Sequence, residues 1–78
     1  MTRYFYEFED NTNDGRKILN VIVITNKTIK QYFKFQEGSG NLVCIGNHYL
    51  FKFYGYEELK EKIINNYKEI TKDYILNY

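Results

Sequence analysis

Apolar and polar residues alternate along the first two-thirds of the chain, and then the period changes. Arg3 to Glu9 is aromatic-rich with period two, and the cluster Asn11-Thr-Asn-Asp-Gly15 closes it as a turn. Ile18 to Thr25 is a β-branched run, Asn26-Lys27 reads as a tight turn, and Thr28 to Gln36 alternates cleanly. Leu42 to Ile45 and His48 to Tyr54 flank Gly46-Asn47, a hairpin signal. From Tyr56 the apolar positions Tyr56, Leu59, Ile63, Tyr67, Ile70 and Tyr74 recur at helical spacing. Glu57, Glu58 and Glu61 near its start and Lys68 and Lys72 later suit the helix dipole. The pattern predicts an α+β fold, an antiparallel β-meander of four to five strands with one long C-terminal α-helix packed on one face. Roughly 22 helical residues span about 33 Å, more than a strand of about 8 residues needs.

The turn at Asn26-Lys27 sets a register in which Thr25 meets Thr28, Ile24 meets Ile29 and Ile18 meets Phe35. Cross-strand partners share a face. One face of that hairpin then carries Ile18, Ile22, Ile24, Ile29, Phe33 and Phe35, a core for the helix to cover. The other carries Leu19, Val21, Val23, Lys30, Tyr32 and Lys34, and it too is largely apolar. A sheet with one wet face should alternate apolar and polar, and the run from Ile18 to Thr25 does not. With a single helix, the second face is expected to expose several hundred Å² of apolar surface, the size that marks interaction sites. Ile64 and Ile75 lie on a shoulder beside the main helical stripe.

Composition narrows the reading. The chain has 78 residues, room for one domain (1–78), with 44% hydrophobic residues, which argues for a folded core. It has no Pro, Trp or Ala, while Ile, Asn, Lys and Tyr occur nine times each, a bias that AT-rich codons favour. A net charge of +1 excludes a strongly basic histone-like binder. One cysteine excludes an internal disulfide framework. No stretch approaches the ~20 apolar residues of a membrane span, and Met1 to Glu7 lacks the apolar run of a signal peptide. The expected compartment is the cytoplasm, with no membrane partner.

Candidate chemistry is sparse. In the Gly46-Asn47 hairpin Cys44 and His48 leave opposite faces, so no thiolate–imidazole pair is expected. Cys44 reads as a small buried hydrophobe and His48 as a surface or edge residue. The acidic residues Glu7, Glu9 and Asp10 read as a solvated strand face. No metal site, cofactor or catalytic role is expected. Lys30, Tyr32, Lys34, Lys52, Tyr54 and His48 alternate cation and aromatic on the face left free by the helix, as stacking platforms for single strands do. With Val21 they form the predicted partner-binding or nucleic-acid-binding surface.

A strand meander followed by one long helix resembles the PC4-like family of dimeric single-strand binders. The resemblance covers the chain in element order alone, with no motif to carry residues over. It implies a homodimer in which Lys30, Tyr32, Lys34, Lys52 and Tyr54 grip single-stranded nucleic acid. By size and composition the chain also looks like phage-encoded inhibitors of host defence, anti-CRISPR and other anti-defence proteins among them. That resemblance implies a non-catalytic module with a protein partner, acting in the host cytoplasm, and it is the leading expectation.

Overall fold

The computed structural model describes residues 1–36 and 41–78. Five antiparallel strands form the sheet: β1 (Arg3–Asn11), β2 (Lys17–Ile24), β3 (Ile29–Phe35), β4 (Val43–Asn47) and β5 (Glu69–Ile70). Their order is β4-β3-β2-β1-β5. A 3₁₀ turn (Tyr49–Lys52) and the helix α1 (Tyr56–Asn66) separate β4 from β5, and a short helix α2 (Lys72–Leu76) follows. The fold is α+β, as the alternation predicts.

The β2–β3 hairpin has the predicted register, with Ile24 opposite Ile29 and Ile18 opposite Phe35. Thr25 N–H donates to the Thr28 carbonyl at 2.9 Å, and the two threonine hydroxyls bond at 2.7 Å. β-Branched residues along β2 and aromatic residues along β3 favour this pleated pairing. At the β1–β2 turn Gly15 takes φ +86°, a conformation that side chains with a Cβ rarely adopt.

The long helix is corrected to a short one. It ends at Asn66, Tyr67 is extended (φ −120°, ψ 149°), and the chain becomes a strand. Asn66 Nδ2 donates to the Lys62 carbonyl at 2.7 Å, and the Tyr6 amide donates to the Lys68 carbonyl at 2.8 Å. Asn65-Asn66 are poor helix formers, and the open edge of β1 offers Lys68 to Ile70 a ladder in place of a helical turn. Ile70 then lies opposite Tyr4, and Thr71 caps α2 by accepting from the Tyr74 amide at 3.1 Å.

This crossing decides how both faces of the sheet are covered. On the first face α1 sets Leu59 and Ile63 against Phe5, Ile22, Ile24 and Ile29, with Leu50, Phe51, Tyr54 and Tyr56 packed around them. On the second face α2 sets Ile75 against Leu19, Val21, Val23 and Ile70, and Tyr4, Tyr6, Tyr32, Leu42 and Tyr78 fill in around that cluster. The face expected to stay open is therefore sealed by the C-terminal segment. Ile75, a shoulder position in the helical reading, is buried, whereas Tyr74 on the stripe is exposed.

The predicted strand His48–Tyr54 is also corrected. Gly46 (φ +143°) lies within β4, and the chain then turns through the 3₁₀ segment onto the first face. A further outer strand would have left Leu50 and Phe51 at an edge; the turn packs both against the core beside α1.

Candidate functional site

Two features stand out on the first face, a buried polar pair and an exposed aromatic row, and the row originates in one irregularity of β1. Tyr6 pairs with Val21 but Phe8 pairs with Asn20, so Glu7 is the extra residue of a β-bulge. Glu7, two residues after Phe5, points inward on the same face. Its Oε1 accepts from Gln31 Nε2 at 2.8 Å, and its Oε2 lies 3.3 Å from His48 Nε2. The two side chains are 7% and 0% exposed. His48 Nδ1 accepts the Leu50 amide at 3.2 Å and so caps the 3₁₀ turn. An accepting Nδ1 leaves the proton on Nε2, so the imidazole donates to the Glu7 carboxylate.

Tyr49 stacks on the His48 ring at 4.5 Å between centroids. Tyr67 lies beside this cluster; its hydroxyl is held above the usual tyrosine pKa, first by burial and then by Tyr49 and Glu7. Both members of the imidazole–carboxylate pair are shut away from solvent, so what they do is tie β1 and β3 to the turn above them. This corrects two readings: His48 is buried, not at a surface or edge, and Glu7 is not solvated. Cys44, expected to be buried, is exposed on β4.

The second feature is apolar. Eleven residues of α1 span about 16 Å, against about 27 Å for the eight of β2, so the helix covers little more than half of the face. The Tyr56 hydroxyl donates to the Thr25 carbonyl and holds the helix at the β2–β3 turn end. At the other end Phe8, Asn20, Phe33 and Val43 form one row across four strands, with Ile18 and Phe35 in the next row. Phe8 and Val43 are each 45% exposed. Phe33 and Phe35 meet edge-to-face at 5.5 Å, and the Arg16 guanidinium covers Phe35 at 4.2 Å. Asn20, at the centre of the row, is buried with Nδ2 unpartnered. Without the bulge, Phe8 would alternate onto the opposite face.

The predicted seven-residue surface is not assembled. Val21 is fully buried, Lys34 is 3% exposed, and both lie with Lys30 and Tyr32 on the face sealed by α2. Lys34 Nζ reaches the Phe35 carbonyl at 3.4 Å and lies over the Tyr78 ring. Tyr54 packs on the other face beside α1, Lys52 is exposed on the 3₁₀ turn, and His48 is paired with Glu7. The aromatic row was missed because its signal, a break in period two at Glu7, is one residue long.

Three tyrosines bear on pH behaviour. Burial first, aided by neighbouring groups, raises the pKa of Tyr32, Tyr67 and Tyr78. A raised folded-state pKa contributes stability that is full below the unfolded value near 10 and is lost as pH rises through the folded values. Stability is therefore expected to be flat from neutral pH to about 9.5 and to fall above about 10. Thermal melts followed by tyrosinate absorbance check this; a decline beginning near pH 8 would contradict it.

No described helix is long and apolar enough to cross a membrane, and no described group of His, Cys, Asp and Glu could hold a metal ion. Comparison with known proteins finds no matching family model, no matching curated protein and no matching solved structure.

Proposed function

We propose that this chain is a small non-catalytic protein-binding module that docks its partner on the uncovered half of the first face, around Phe8, Phe33, Phe35 and Val43. The observation that carries the reading is the four-strand row in which Phe8 and Val43 stay exposed beside the edge-to-face pair Phe33 and Phe35. Rigid aromatics held on a sheet lose little entropy when they enter a partner's groove, which makes them natural anchors. The sealed imidazole–carboxylate pair offers a substrate no access, which supports a binding role over a catalytic one. Small size, aromatic richness and near-neutral charge fit an inhibitor of a host defence component, of anti-CRISPR or other anti-defence type, working in the host cytoplasm.

Binding of single strands has less support, because the six cationic and aromatic residues are divided between the two faces. The test is affinity capture from host lysate with wild type and Phe8→Lys, followed by titration of the captured protein. The exposed Phe8 tolerates the change, and the affinity is expected to fall at least about 10-fold. An unchanged affinity overturns the docking face. Salt-sensitive binding of labelled single-stranded DNA that Lys30→Glu with Lys52→Glu abolishes would favour the nucleic-acid reading instead.

A further inference from the structure

We infer that the outer edge of β4 pairs with the β4 of a second copy of this chain, the two strands running antiparallel about a two-fold axis. β4 ends the sheet, with β3 on its inner side, and no described element pairs with its outer side. Its outward N–H and C=O groups are open to another strand, and extended backbone is the ligand they select. Proteins that must stay single usually guard such an edge with Lys or Pro. Val43-Cys44-Ile45-Gly46-Asn47 carries neither and no charge at all, so a second copy meets no like-charge repulsion. Val43 and Ile45 are exposed there, Ile45 at 57%.

The opposite edge explains why assembly stops at two. β5 has two residues, and its Glu69 forms a two-pronged ion pair with Arg3 at 2.7 and 2.9 Å. The rest of the outer edge of β1 carries Glu9 and Asp10, whose like charges repel a second copy, so pairing through β4 alone makes a closed, isologous dimer and not a fibre. The strand is short, and Ile45 is a bulge residue opposite the Gln31–Tyr32 step, which twists the edge. Both limit the buried area to well under the ~800 Å² per partner of a standard interface, so association is weak, with Kd on the order of 100 μM.

The pairing also makes good a shortage. One uncovered half-face measures roughly 19 by 14 Å, about 270 Å² in plan, small for a docking surface. Rotation about an axis normal to the sheet places both half-faces on the same side and doubles it. The outer edge of β4 is open whether or not the first face docks a partner, and dimerisation is measured with this chain alone.

Sedimentation velocity of the reduced full chain from about 5 μM to about 500 μM is expected to show a monomer–dimer transition. Exchange of the outward-facing β4 amides should slow about 3-fold or more across that range, with β1–β2 amides unchanged. Ile45→Lys should fold normally, by its circular dichroism, and remain monomeric. A monomer at every concentration overturns the inference. So does a dimer without added protection in β4, or an Ile45→Lys variant that dimerises like wild type. If Ile45→Lys fails to fold, the wild-type exchange result decides alone.

Discussion

Val21→Asp is expected to leave most molecules unfolded at room temperature. Val21 has no exposed surface and packs with Leu19, Val23, Ile70 and Ile75 beneath α2. A carboxylate there loses its hydration among apolar side chains, and Lys34, diagonally across on β3, is engaged with the Phe35 carbonyl and the Tyr78 ring; the cost is several kcal/mol, and about 1.5 kcal/mol of apolar burial is lost as well. A domain of this size is stable by about 4–12 kcal/mol in all. Circular dichroism and amide dispersion in NMR spectra read the result directly. A folded variant with native dispersion would mean that this face is open and that the C-terminal segment does not seal it. Ile75→Ala, on the covering side of the same contact, is expected to cost about 2–5 kcal/mol while keeping the fold.

The second large effect is at the buried pair. His48→Ala leaves the Glu7 carboxylate inside the protein with Gln31 as its remaining side-chain partner and removes the cap of the 3₁₀ turn. Breaking a buried pair from one side costs about 3–5 kcal/mol, which lowers Tm by at least about 12 °C here. Glu7→Gln keeps the shape and loses only the charge, so it should cost less. In a double-mutant cycle with these two changes the coupling is expected to be about 1–3 kcal/mol. Additive losses would show that the two side chains do not act as one unit.

What was legible in the sequence was local. The β2–β3 hairpin could be read to the residue because a tight turn between threonines fixes the register and every position alternates behind it. The start of α1 was equally plain from Tyr56, Leu59 and Ile63. What was lost depended on contacts far apart in the chain. The apolar spacing of three and four continues through Tyr67, Ile70 and Tyr74 by coincidence, and β1, more than sixty residues earlier, draws Glu69 and Ile70 into a strand instead. The burial of His48 needs Glu7, 41 residues away in the chain, and the exposed row needs the β-bulge in β1. The same bulge moves Phe8 to the other face. One extra residue in β1 thus placed the exposed row, whereas Val21, Lys30, Tyr32 and Lys34 share a face as the alternation predicts and are covered by α2, a segment whose apolar spacing reads as more of one long helix.

Both the sealed second face and the docking row on the first depend on which apolar surface meets water. Its most direct test is NMR of the labelled protein with a soluble paramagnetic probe, reading relaxation of side-chain signals in both faces. Phe8, Val43 and Ile45 are expected to broaden strongly, with Leu19, Val21, Val23 and Ile75 left sharp. Broadening of Val21 and Val23 with Phe8 and Val43 protected would contradict the sealing of the second face and the docking surface proposed on the first.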